Sequence, residues 1–191
     1  MRHLLFPILL TFLSLISNAQ AKPVSRLDLE TRFDYNQEYL AGETVSDNSG
    51  FKGRYLNIRM EGYLSDHLSY SFRHRLNKPI KNSSLFEATD WVTLTYGLGN
   101  WSLSAGKQVV EIGGFEYDAA PIDLYFCSEY WNNIACYQFG ISGAYTTDSK
   151  KDKLSFQFCQ SPFDGFAYNL MWYGSHDFFS SIWSVNMMEY T

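Results

Sequence analysis

The sequence predicts an all-β protein, a transmembrane antiparallel β-barrel behind an export signal, and three observations predict it. Apolar and polar residues alternate at period two through most of the chain, with no stretch of comparable 3.6-residue period. The connections between the alternating runs are long and short by turns, as in outer-membrane barrels, whose loops are long on one side and tight on the other. Aromatic residues make up 18% of the 191, with fourteen Tyr, fifteen Phe and five Trp, which is high for a chain with water on every side. No solenoid repeat or low-complexity segment interrupts the pattern.

The chain opens with MRHLLFPILLTFLSLISNAQA. A basic start at Arg2, an apolar run from Leu4 to Ile16 and small residues Ala19 and Ala21 around Gln20 read as a cleaved secretory signal over 1–21. The run is too short to span a bilayer. The formal net charge of −5 becomes one unit more negative when Arg2 leaves, so no basic surface for nucleic acid is expected. No later stretch suits a membrane helix. A membrane-resident fold must then be a closed barrel, because open strands leave backbone groups unpaired in lipid.

The first strand, RLDLETRFDY (26–35), sets Leu27, Leu29, Phe33 and Tyr35 on one face. Arg26, Asp28, Glu30, Arg32 and Asp34 occupy the other. A long Gly/Ser/Asn-rich connection (36–53) follows. The stretch YLNIRMEGYLSDHLSYSFRHRL (55–76) then reads as a hairpin turning at Ser65–His67. Its outward pairs are Leu64/Leu68, Gly62/Tyr70, Met60/Phe72, Ile58/His74 and Leu56/Leu76, with Tyr70 covering the bare backbone of Gly62. Its wet face pairs Tyr63/Ser69, Glu61/Ser71, Arg59/Arg73 and Asn57/Arg75. Arginines directly opposite repel. Glu61, the acids of the first strand or a passing anion must offset Arg59 against Arg73. Two readings stay open: a structural charge network, or a basic stripe of Arg59, Arg73 and Arg75 that favours anions in a water-filled lumen. Acids on the same face, Glu61 among them, speak against strong anion selection.

After a long connection (77–88) come WVTLTY (91–96), a tight GLGN turn and WSLSA (101–105). Pairing Tyr96/Trp101, Leu94/Leu103 and Val92/Ala105 outward sets Thr95/Ser102, Thr93/Ser104 and Trp91/Gly106 inward. Tyr96 and Trp101 then belong to an aromatic girdle, and Asp90 pairs with Lys107 outward, beyond the apolar band. The longest connection, 107–135, is too long and too aromatic for a plain solvent loop. It is expected to fold inward and narrow the lumen, setting Glu111, Glu116, Asp118 and Asp123 across from the arginines. An extracellular cap with solvated acids is the alternative. Four further strands follow: YQFGISGAY (137–145), KLSFQF (153–158), YNLMWY (168–173) and WSVNMMEY (183–190). Their connections are short (146–152), moderate (159–167) and fairly short (175–181). That makes about nine strands.

No G-x-S-x-G, H-E-x-x-H, phosphate-binding Gly loop or EF-hand spacing is present. The histidines are dispersed, so no metal site, cofactor or catalytic residue is expected. Cys127, Cys136 and Cys159 allow Cys127–Cys136, Cys136–Cys159 or three buried thiols.

The segments 55–78, SLSAGKQVVEIGGFEYD (102–118), YNLMWYG (168–174) and SVNMMEY (184–190) resemble the phosphate-selective porin O and P family, with Gly-Lys-Gln at 106–108 the most specific step. The resemblance implies a sixteen-stranded barrel in the outer membrane of a Gram-negative cell, set in lipid and lipopolysaccharide. It is usually trimeric, and passes small hydrophilic or anionic (phosphate-like) solutes through a lumen narrowed by an inward loop. It carries Arg59, Arg73 and Arg75 over as lumen residues and 108–126 as the constriction; Arg32 and Glu61 join them by face. The arginine ladder and lysine clusters of the phosphate-preferring members cannot be traced here. Single-chain bacterial barrels close with even strand numbers, and the last strand lacks a following partner and a terminal aromatic. Residues 22–191 are therefore expected to form the N-terminal part of a larger porin. A small non-conducting barrel with an adhesive or structural role is the alternative; it needs eight strands. A hydrolase in the barrel wall comes third.

Overall fold

A computed structural model describes residues 23–78, 84–118, 124 and 127–190; the export signal expected over 1–21 lies outside them. Nine strands form one sheet: β1 Arg26–Asn36, β4 Gly50–Tyr63, β5 Leu68–Arg75, β6 Thr89–Leu98, β7 Trp101–Val109, β8 Tyr137–Thr146, β9 Asp152–Gln160, β10 Asp164–His176 and β11 Phe179–Tyr190. Two-residue strands β2 Tyr39–Leu40 and β3 Glu43–Thr44 make a small hairpin inside the first long connection. Each strand of the large sheet pairs antiparallel with the next, in the order of the chain. β1 and β11 are its two edges, and the sheet is not closed between them. Among the described residues no helix is long and apolar enough to cross a membrane.

Alternation decides which face each side chain takes. On one face Phe33, Leu29, Leu103, Phe156, Trp183 and Val185 stand exposed, far more apolar surface than a protein tolerates in water. On the other, Asn57, Gln157 and Asn169 are wholly buried. The fold is thus apolar outside and polar inside, the inverse of a soluble domain and the rule of a membrane barrel. Among the described residues the buried apolar cluster is small. Val110, Ile112 and Ile134, from the two ends of the longest loop, pack on Cys159, Ala167 and Met188.

The 55–76 hairpin has the register its sequence predicts, from Asn57↔Arg75 through Arg59↔Arg73 to Tyr63↔Ser69. Tyr70 covers Gly62, with its ring edge 2.7 Å from where a Cβ would lie, and its hydroxyl donates to the Pro23 carbonyl. The second hairpin differs. Its turn is Gly99–Asn100 alone, and Leu98↔Trp101 is the first pair, so the true register is two residues from the expected one. Gly99 at φ +58° allows so tight a turn. A two-residue shift keeps every side chain on its face, and the outward and inward sets survive. The connection expected over 159–167 shrinks to 161–163, because β9 runs to Gln160 and β10 begins at Asp164. Register breaks between Asp164 and Tyr168 disguise that strand start in the sequence.

Candidate functional site

Charges on the inner face of β1 and β4 come in pairs two residues apart, a spacing that puts both members on one side of a strand. Arg26 bonds Asp28. Arg32 Nε donates to Asp34 Oδ1 at 2.7 Å and Nη2 to Oδ2 at 2.8 Å. Arg59 Nε donates to Glu61 Oε1 at 2.9 Å. Each of these arginines brings its own carboxylate.

Arg73, opposite Arg59, and Arg75, opposite Asn57, share one carboxylate. Arg73 Nε donates to Asp90 Oδ2 at 2.8 Å, and Arg75 Nε donates to Oδ1 at 2.7 Å. Asp90 therefore faces inward, not outward with Lys107 as alternation predicts. The cause is a β-bulge: Arg73 pairs Trp91 but His74 pairs Thr89, so Asp90 has no opposite residue. Lys107 faces outward opposite Val92 and donates to the carbonyls of Phe86 and Thr89 at 2.6 and 2.8 Å. A second bulge, between Arg32↔Tyr55 and Phe33↔Gly53, frees Arg54 to approach Asp34 at 3.3 Å. The Trp91 ring has Arg73 Cζ 4.0 Å and Arg59 Cζ 5.6 Å from its centre, close enough for cation–π attraction.

The loop between β7 and β8 runs across this wall. Its neck is closed by Val110 N–H donating to the Cys136 carbonyl at 2.9 Å. Gln157 Oε1 on β9 then accepts the Glu111 N–H at 2.9 Å, and Nε2 donates to the Val109 carbonyl at 2.8 Å. Farther along, Asn186 Nδ2 on β11 donates to the Glu111 carbonyl at 2.8 Å, and Gly113 N–H donates to Ser184 Oγ at 2.7 Å. At the opposite edge of the sheet, Arg32 Nη1 donates to the Leu124 carbonyl at 2.7 Å. The described parts of one loop thus touch β11 and β1. A recess of about 720 Å³ lies between the loop and β1–β4, and one of about 340 Å³ lies under its first leg, beside Trp91 and Gln108.

Of the acids predicted for this loop, Glu111 lies against β9 near Ser155 and Lys153. Glu116 accepts from Ser128 within the loop. Of Asp118 the structure describes only the backbone, in the one-turn helix Phe115–Asp118, and Asp123 lies outside the described residues. The three cysteines are free thiols, and burial pushes Cys136 up to about 11. Among the described residues no group of three or more His, Cys, Asp or Glu could hold a metal.

Burial raises the Glu111 carboxyl above its ordinary 4.5, against the opposing pull of Ser155 and Lys153. A raised folded value favours the protonated form, so this contribution to loop docking is full below pH 4.5 and is lost as pH rises through the folded value. Proteolysis within 110–136 is expected to quicken between pH 4 and 8, and Glu111→Gln to flatten that dependence. An equal pH slope in both proteins would show that Glu111 does not set it.

Four inner-wall residues were not legible as functional: Asp90, Arg54, Gln157 and Asn186. The last two sit at inward positions of KLSFQF and WSVNMMEY, where an uncharged amide on a wet face was the available signal. For the two bulged residues alternation pointed the wrong way.

An apolar exterior, a paired-charge interior and a long loop laid across the inner face define the wall of a porin-like β-barrel. The sequence pattern of the family described as phosphate-selective porin O and P matches residues 26–170, well over half of the chain, and the chain belongs to that family. By family it is an outer-membrane porin. No curated protein and no solved structure matches the chain significantly.

Proposed function

We propose that this wall belongs to a pore for passive diffusion of small hydrophilic solutes, anions among them, across the outer membrane, and that residues 107–135 form its constriction. The carrying observation is the loop's attachment to both ends of the inner face, at Ser184 and Asn186 on β11 and at Arg32 on β1. Arg32, Arg59, Glu61, Arg73 and Arg75 line the lumen in this reading, and Glu111 holds the loop's root. Selectivity is weak, because every one of these arginines bonds a carboxylate; a phosphate-like anion passes but is not strictly selected. The exposed apolar face meets outer-membrane lipid and lipopolysaccharide, a homotrimer is the expected assembly, and residues 1–21 direct export.

Planar-bilayer recording of the full-length protein under a salt gradient tests this. Stepwise conductance with a reversal potential modestly on the anion side is expected. No steps at all would remove the pore reading, whereas a cation-side potential would remove only the anion preference.

A further inference from the structure

We infer that Asp90, brought inward by the β-bulge of β6, is the residue that limits anion selectivity in this pore, by drawing Arg73 and Arg75 onto one carboxylate. The inference rests on the pore reading above. Three arginines, Arg59, Arg73 and Arg75, share this patch of wall, and left alone they would present three positive charges to a passing solute. Arg59 is neutralised by Glu61 on its own strand. Arg73 is closed off almost completely: its side chain is 2% exposed and that of Asp90 4%. Its Nε is on Asp90, its Nη2 donates to the Tyr137 hydroxyl at 2.7 Å, and its Cζ stands over Trp91. Of the two arginines on Asp90 only Arg75, at 32%, reaches the open side, and it does so with its Nε on the second oxygen of the same carboxylate. The patch therefore carries one net positive charge where its arginines alone would give three.

The placement is not a by-product of strand alternation. With a regular ladder, residue 90 would point outward, since Trp91 points in. The extra residue between the Arg73↔Trp91 and His74↔Thr89 pairs rotates it to the inner side. The bulge of β4 works the same way with the opposite sign, sending Arg54 to Asp34, a carboxylate that Arg32 already holds. In both bulges the residue freed from the ladder is charged and binds an inner-wall group of opposite charge.

Two variants in the full-length protein, recorded in planar bilayers under a potassium chloride gradient, test this. Asp90→Asn keeps the shape and removes the charge. It is expected to raise the chloride-to-potassium permeability ratio about threefold, the opposite effects on the two ions of one unit charge about 6 Å from their path once salt screening roughly halves each. Arg73→Gln releases Asp90 Oδ2 to Arg75, which already holds Oδ1, without stranding a buried charge. It is expected to lower the ratio by a similar factor, although Arg73 itself faces no solute. Should Asp90→Asn fail to insert, Arg73→Gln decides alone. Normal conductance steps with the wild-type ratio in Arg73→Gln, or in both variants, would overturn the role of Asp90 and leave the pore reading intact. Absence of steps in the wild type would overturn the pore reading itself.

Discussion

Gly106→Ala is expected to cost about 2–5 kcal/mol of stability, the sum of backbone strain and overpacking at a site that cannot relax. Gly106 sits at φ +127° in β7, where side chains are rarely accommodated. A Cβ there would fall on the carbonyl oxygen of Val92 in β6, main chain that cannot retreat without breaking the β6–β7 ladder. Its cross-strand partner in β8 is Gly140, where a Cβ would fall on the Phe158 carbonyl and on Cys159 in β9. Two facing glycines let the backbones of β6 and β9 close in from both sides, a known use of strand glycine. The close approach lies just below the point where the chain leaves the wall as the loop. Gly97 is the control: a Cβ there meets nothing within 4 Å, and Gly97→Ala should stay within about 0.5 kcal/mol of the parent. Urea unfolding of the full-length protein in detergent, followed by tryptophan fluorescence, separates the two. Equal midpoints for both variants would mean that the close approach of β6 does not depend on Gly106.

The sequence was most informative where structure is local and periodic. Alternation sorted Leu27 from Asp28 and Met60 from Arg59. The tight turn at 65–67 anchored the first hairpin, so its register followed pair by pair. At GLGN the same reasoning slipped by two residues: the four-residue segment contains a two-residue turn, and nothing in its composition distinguishes Gly97, still in the strand, from Gly99. Bulges were the larger loss. Asp90 and Arg54 stand one residue out of step because of how β5 and β1 pair against them, and a residue's own neighbours in sequence carry no trace of that pairing. The apolar dock of the loop was hidden for a related reason. Cys159, Ala167 and Met188 are inward residues on three strands, and only the assembled sheet makes them one surface under Val110 and Ile112. Family resemblance filled part of this gap, by implying an inward loop, but not the side chains that hold it.

Gln157 shows what those side chains do, and Gln157→Leu is expected to release the loop. The side chain is wholly buried and, besides a weak contact from the Cys159 thiol, satisfies the Glu111 N–H, the Val109 carbonyl and the Asn169 amide, at 2.9, 2.8 and 2.9 Å. Leucine fills similar space but pairs with none of them. Each stranded buried group costs about 1–3 kcal/mol, and with partial relaxation the total should be about 3 kcal/mol, concentrated where the loop leaves the sheet. The backbone ladders of β9 do not involve this side chain, so the barrel wall should persist, while the loop's first leg, left with Asn186 and Ser184 on Glu111 and Gly113, opens more often. A loss of that size raises the open population about a hundredfold, since every 1.4 kcal/mol is a factor of ten. Proteolysis within 110–136 should accelerate by a similar factor in the regime where opening precedes cleavage. In bilayers the variant should conduct more than the parent, with noisier open levels, because the segment proposed to narrow the lumen no longer stays against it. Exposed Gln160, on the same strand, provides the comparison, and Gln160→Leu should change neither readout. Fast proteolysis with unaltered conductance would place the loop outside the conduction path and favour a cap over a constriction. If Gln157→Leu matched Gln160→Leu in both assays, the buried amide network would not be what holds the loop.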